Sequence, residues 1–86
     1  MDEKLINGIS FVKSSSNRRQ ILKTLLSDIK SPAEISNETK IRLNHVSMYL
    51  GELKENGLVE CLNENAKKGR LYQLTNFGKK VMKISG

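Results

Sequence analysis

Four segments of the chain carry apolar residues at the spacing that places them on one face of a helix. Each stripe predicts an amphipathic helix that turns its apolar face toward a core. The stripes are Leu5, Ile6, Ile9 and Val12; Ile21, Leu22, Leu25, Leu26 and Ile29; Leu43, Val46, Leu50 and Leu53; and Phe77, Val81 and Ile84. Residues 14–17, three serines and an asparagine, follow the first stripe, and they either break one long helix or only bend it.

A shorter helix between the second and third stripes is indicated by its start signal. Ser31 can cap this helix, Pro32 fits its first position, and Glu34 stands where a capping box needs an acid. Ala33 and Ile35 are the residues expected to face inward.

A tight turn then leads into the helix of the third stripe. Ile41 is the apolar residue expected to fill this turn, and the helix is predicted over residues 42–56. Gly57 can adopt the left-handed conformation that commonly follows a helix C-terminus. Two helices joined by so short a turn form a helix-turn-helix.

The pattern changes from helical to extended after residue 57. Strands are predicted at residues 58–62 and 70–75, on either side of a basic, glycine-containing loop at residues 63–69. Thr75 can cap the last helix. The expected fold class is therefore mainly α with a small two-stranded β-hairpin.

Length and composition exclude several classes of protein. With 86 residues, the chain is expected to form one domain over residues 1–86, with a thin core. No apolar run approaches the ~18 residues of a membrane span, and the N-terminus lacks a signal-peptide pattern, so we expect a cytoplasmic protein. A single cysteine, Cys61, and a single histidine, His45, cannot form a disulfide framework or a zinc site alone. No catalytic grouping stands out, so we expect neither an enzyme nor a cofactor.

The net charge of +6 is concentrated at the C-terminal end of the chain. Residues 1–64 hold nine basic and nine acidic side chains, whereas residues 65–86 hold six basic ones and no acid. Such asymmetry indicates an anionic partner, although a solvated lysine-rich tail would have the same composition.

Three sequence fragments together resemble a known family. They are Val46-Ser47, the LKENGLV stretch at residues 53–59 and the YQLTNFG stretch at residues 72–78. The combination is similar to the winged helix-turn-helix regulators of the ArsR and MarR type, above all to their short archaeal members, over about residues 17–84. This chain lacks the paired cysteines of the metal-sensing members and the length of the ligand-sensing ones. The resemblance therefore implies binding to double-stranded DNA, with no metal and no small-molecule effector.

In a helix-turn-helix, the N-terminal half of the second helix enters the major groove. Asn pairs well with adenine and Arg with guanine, and an apolar side chain can touch a thymine methyl group. No acid occurs at residues 39–51 to repel phosphates. The candidate DNA-binding residues here are Lys40, Arg42, Asn44, His45, Ser47, Met48 and Tyr49. The alternative is that the polar residues merely solvate or cap the helix.

The predicted hairpin loop adds a second candidate contact. Lys67, Lys68 and Arg70 cluster within residues 63–70 and can reach phosphates or the minor groove. Ordinary turn chemistry would explain the same composition.

These observations leave two functions open. The first is a sequence-specific DNA-binding transcription regulator, and the alternative is a winged-helix module that docks onto protein in a transcription or replication assembly.

The first helix, residues 3–13, and the last helix lie outside a minimal winged helix. One thin core is not expected to bury both, so we predict a homodimer through the terminal helices. The competing interpretation is that the first helix packs on its own domain.

Overall fold

A computed structural model describes residues 2–85 and confirms the predicted fold class. The described residues form five helices and a two-stranded antiparallel hairpin, which lies between the fourth and fifth helices in sequence. The elements are α1 (Glu3–Lys13), α2 (Ser16–Thr24), α3 (Pro32–Thr39), α4 (Leu43–Glu55), β1 (Val59–Cys61), β2 (Tyr72–Leu74) and α5 (Asn76–Ser85).

The serine-rich segment at residues 14–17 breaks the helix. Ser14 ends α1 as its C-cap, and the Ser15 side chain caps α2 by accepting a hydrogen bond from the Arg18 backbone N–H. The Arg18 guanidinium lies 3.7 Å from the centroid of the Phe11 ring and donates to the Phe11 carbonyl at 3.0 Å. It also forms an ion pair of 3.3 Å with Glu52 of α4. Arg18 therefore ties α1, α2 and α4 together at the break.

The second helix is shorter than its apolar stripe predicted. It ends at Thr24. Leu25, the next stripe residue, is still buried, but the last two stripe residues are not in the core: Leu26 is 56% exposed and Ile29 is 42% exposed. The Leu25 N–H already bonds the Leu22 carbonyl, three residues back, which tightens the last turn and ends the helical register.

The helix-turn-helix forms as predicted, and local hydrogen bonds account for its turn. Ser31 and Glu34 form the capping box at the start of α3. At the other end, the Ser36 hydroxyl donates to the Ile41 carbonyl, and the Thr39 hydroxyl accepts from the Ile41 N–H. These bonds satisfy both polar backbone groups of Ile41. Ala33, expected to face inward, is exposed.

The hairpin strands are shorter than predicted because the pairing register covers only three residues on each strand. Val59 pairs with Leu74 and Cys61 pairs with Tyr72. Tyr72 also exchanges two backbone hydrogen bonds with Lys30, which adds an isolated bridge on the other edge of β2. The hairpin is thus attached to the segment that enters α3.

The last helix approaches the end of α4 closely. The Thr75 hydroxyl accepts from the Gly78 N–H and donates to the Gly57 carbonyl, which confirms the predicted cap. A Cβ atom at residue 78 would collide with the Leu58 carbonyl oxygen, so only glycine fits there.

One core buries both terminal helices, contrary to our expectation. Leu5 and Val12 of α1 and Val81 and Met82 of α5 are all buried, and Gly8 of α1 lies against α5. The expectation failed because the two helices pack against each other within one chain. Two apolar side chains remain outside: Ile6 is 47% exposed and Ile84 is 50% exposed. Within residues 2–85, no helix is both long and apolar enough to cross a membrane.

Candidate nucleic-acid interface

The N-terminal half of α4 presents a polar, acid-free surface. Val46 and Leu50 turn into the core, which leaves the other side of the helix to solvent. The structure places five of the predicted residues on this exposed surface or at its entry: Arg42, Asn44, His45, Ser47 and Met48. Arg42 is the N-cap and Asn56 the C-cap, so the helix proper is one residue shorter at each end than predicted.

Two α4 residues differ from their predicted roles. Leu43, expected to extend the core stripe, is 51% exposed because the core contacts of α4 begin one turn later, at Val46. Tyr49, expected at the DNA-binding surface, packs against the core and its hydroxyl accepts from the Asn17 amide at 3.2 Å. Tyr49 is only partly accessible, and its polar end is engaged with α2.

Lys40 extends the basic surface into the turn before α4. It is the C-cap of α3 and adopts a left-handed conformation with φ of 65°, which is unusual for a residue other than glycine. Its side chain is exposed, as a phosphate contact requires.

The loop of the hairpin, residues 62–71, is ordered by Asn63, which the sequence did not single out. The Asn63 side chain accepts from the Leu71 N–H at 2.8 Å and donates to the Gly69 carbonyl at 3.2 Å. This pair of bonds closes the loop across its base. An asparagine at the first position of a loop with a glycine near the end was the available signal.

The three predicted cations lie in the second half of this loop, residues 67–70, which we call the wing tip. Lys67, Lys68 and Arg70 are all exposed. The Arg70 Nε donates to the Ala66 carbonyl at 2.9 Å, which fixes the guanidinium stem while its outer nitrogens stay accessible. The structure therefore brings the three predicted cations together.

A cleft of about 560 Å³ joins α4 to the wing tip. It is lined by one face of α4, by the wing tip, and by Tyr72 and the start of α3. The lining residues are Ser31, Pro32, Ala33, Leu43, Ser47, Gly51, Lys54, Lys67, Lys68, Gly69, Arg70 and Tyr72. This set of described residues contains four cations and no acid, so the cleft suits an anion.

One lining cation, Lys54, is partly neutralised. Its ammonium group forms an ion pair with Glu64 of the loop, which raises the pKa of Lys54 and lowers the pKa of Glu64. The pair links α4 to the base of the loop. No local sequence pattern indicates this pair, because the partners are ten residues apart with the first strand between them.

The groups on this surface suit binding through hydrogen bonds and charge. Hydrogen-bond donors, acceptors and a thioether face outward from α4, and exposed cations stand beside them on the wing tip. Among residues 2–85, no group of three or more His, Cys, Asp and Glu side chains could hold a metal ion.

Comparisons with known proteins agree with this geometry. The winged helix-turn-helix family pattern matches residues 18–85. HlyU from Vibrio cholerae superposes with a TM-score of 0.79 at 22% identity, over 98% of this chain and 92% of that one. MarR from E. coli, as a mutant complexed with operator DNA, gives a TM-score of 0.75 at 24% identity, over 98% and 61%.

A third similar structure is a mutant of ZitR from Lactococcus lactis in complex with DNA. It gives a TM-score of 0.71 at 30% identity, over 84% of this chain and 50% of that one. This chain thus spans about half the length of ZitR. No curated protein matches the sequence.

Proposed function

Because the chain belongs to the winged helix-turn-helix family, we propose that it binds double-stranded DNA in a sequence-specific way and regulates transcription by occupying promoter DNA. The observation that carries this proposal is the cleft between α4 and the wing tip, whose described lining holds four cations and no acid. Three of these cations belong to the wing tip and stand beside an acid-free face of α4, whose one lining cation, Lys54, is paired with Glu64.

In this proposal, α4 reads base edges in the major groove. Asn44 and Arg42 supply the side chains suited to adenine and guanine, and Met48 can contact a thymine methyl group. Ser47 faces the cleft and can bond a base edge or a phosphate. Recognition by hydrogen bonding gives sequence preference, because a wrong base leaves these groups unpaired.

The wing tip supplies the part of the affinity that does not depend on sequence. Lys67, Lys68 and Arg70 are exposed and free to meet phosphates or enter the minor groove. Each neutralised phosphate releases counterions, so affinity falls with salt concentration. Lys40, at the entry to α4, is a further candidate phosphate contact.

We also propose a symmetric dimer that uses α1 and α5 of a single domain over residues 1–86, whose core spans about residues 17–84. Ile6 and Ile84 support it, since each leaves about half of a large apolar side chain in water on a terminal helix. Two recognition helices related by a twofold axis would then reach successive major grooves, roughly 34 Å apart, on a pseudo-palindromic site.

Docking onto another protein is the second candidate function. It is favoured by Leu26 and Ile29, which are exposed apolar residues in the connection between α2 and α3. A shallow cavity of about 280 Å³ adjoins them. This surface lies outside the cleft between α4 and the wing tip. The two functions would therefore use different residues and can be tested separately.

An electrophoretic shift with a salt titration separates the two functions. We expect binding to any duplex at low salt, tighter binding to a cognate duplex, and a steep loss of affinity as salt rises. Absence of binding to every duplex at low salt would favour the docking module instead.

A further inference from the structure

Gly51, in the third turn of α4, has no role in the packing of this domain. A glycine inside a helix costs stability relative to alanine, so its presence normally has a packing reason. Gly8 and Gly78 have one, because a Cβ atom at either position would press on a neighbouring element. At Gly51 an added Cβ atom would meet no described atom within 4 Å beyond its chain neighbours and the backbone of its own helix, and the residue is exposed.

The bare surface at Gly51 lies in the cleft between α4 and the wing tip. Leu43, Ser47 and Gly51 follow one another at intervals of four residues, which places them on one face of the helix. All three line the cleft, together with Lys68 and Arg70 of the wing tip. An occupant of the cleft would therefore lie beside both the Gly51 backbone and the wing-tip cations.

We propose that Gly51 is the point of close approach for one sugar-phosphate strand of duplex DNA, which runs through this cleft. The inference rests on the proposed function and adds the path of the backbone to it. The described lining has cations and no acid, as a row of phosphates requires, and its exposed apolar member Leu43 suits a deoxyribose face. Glycine permits such an approach because no side chain stands between the helix and the strand.

This assignment makes Gly51 a positioning residue for contacts made by other side chains. A side chain at position 51 would hold the strand away from the wing tip, and the wing-tip cations would then lose their phosphates. An uncharged substitution would consequently reduce the salt dependence of binding, which depends on the number of phosphates neutralised.

Two substitutions test the proposal, Gly51→Ala and Gly51→Leu, with Gln20→Leu as the matched control. Gln20 is an exposed helical residue of α2 outside the cleft. Fluorescence anisotropy with a labelled duplex is measured at several salt concentrations, and Tm is measured by circular dichroism. We expect Gly51→Ala to raise Tm by about 4–8 °C, because alanine is the better helix former.

For binding, we expect Gly51→Leu to weaken affinity by about tenfold or more and to lower the log–log salt slope by about 1 to 3. Gly51→Ala should fall between Gly51→Leu and the wild type, and Gln20→Leu should bind with the wild-type slope. A folded Gly51→Leu variant with wild-type affinity and salt slope would overturn the role proposed for Gly51 but not the proposed function. A wild-type chain that binds no duplex would overturn the proposed function itself.

The salt slope also separates the two ways in which Gly51→Leu could weaken binding. A loss of affinity with an unchanged slope would mean that position 51 faces bases, not a phosphate strand, and would overturn the proposed path. A combined variant with Lys68→Ala checks the mechanism further. If both changes act on the same phosphates, their effects on the slope are less than additive.

Discussion

At the scale of single residues, we propose that the exposed side chains of the first two turns of α4 determine which DNA sequence is bound. We predict that Asn44→Ala or Ser47→Ala weakens binding to the cognate duplex by about 1–3 kcal/mol if the residue reads a base. Binding to random duplex should change little. Competition titrations against both duplexes measure the two effects. Equal losses on both would identify phosphate contacts, and no loss on either would remove the residue from the interface.

Lys40 offers a way to separate stability from binding at one position. Its left-handed backbone costs roughly 1–2 kcal/mol for a residue with a Cβ atom, and glycine avoids this cost at the expense of a more flexible unfolded chain. We predict that Lys40→Gly leaves the free energy of unfolding unchanged or raises it by up to about 1 kcal/mol.

The same variant should bind DNA more weakly, because it lacks a cation that we assign to a phosphate. The salt slope should fall by about 1. Lys40→Arg is the matched control, since it keeps both the charge and the backbone strain. Wild-type affinity in Lys40→Gly would show that this lysine is only a turn residue.

Sequence patterns predicted the exposed candidates on α4 well and their neighbours poorly. Asn44 and Ser47 could be assigned because they fall between core positions of a regular stripe. Leu43 could not, since an apolar residue in the first turn fits the stripe whether or not the core extends to it. The orientation of the Tyr49 side chain could not be predicted either, because its hydroxyl bonds Asn17, a partner 32 residues away that no local pattern indicates.

At the scale of elements, the loop of the hairpin is a preorganised carrier of charge. Asn63 closes its base and Arg70 is tied to the Ala66 carbonyl, so the cations are presented without much loss of loop entropy on binding. Preorganisation of this kind reduces the cost of binding.

We predict that Lys67→Ala, Lys68→Ala and Arg70→Ala, combined in one variant, lower affinity for every duplex. The salt slope should fall by about 1 for each cation that meets a phosphate. The free energy of unfolding should change little, because exposed charges on a loop contribute little to stability. Anisotropy across a salt series and a urea titration measure the two effects. An unchanged slope would mean that the wing tip faces solvent or protein.

Element boundaries followed the sequence where caps were explicit. The start of α3 was predicted from Ser31 and Glu34, and the start of α5 from Thr75, because each cap is a local hydrogen bond. The end of α2 could not be predicted in this way, because the apolar residues Leu26 and Ile29 continue the stripe beyond the last helical turn. The bridge between Lys30 and Tyr72 is a contact across 42 positions, beyond the reach of any pattern.

At the scale of the whole molecule, the two terminal helices were expected to leave apolar surface unburied, but α1 and α5 pack against each other within one chain. We predict a dimer at micromolar concentration, held through the remaining exposed apolar side chains of these helices. The combination of Ile6→Glu and Ile84→Glu should yield a monomer that stays helical. Leu26→Glu, an equally exposed apolar position outside the terminal helices, should remain dimeric.

Light scattering with circular dichroism checks this prediction. A wild-type chain with monomer mass and a folded spectrum would contradict it. A dimer that survives the double substitution but dissociates with Leu26→Glu would place the interface at the connection between α2 and α3.

The central claim, that the α4 surface and the wing tip together read a specific duplex, is tested most directly by selecting bound duplexes from a random library with the full chain. We predict an enriched motif that is bound many-fold more tightly than its shuffled version and that shifts when Asn44 is replaced. Duplexes recovered at moderate salt without any enriched sequence, or no recovery even at low salt, would contradict the account.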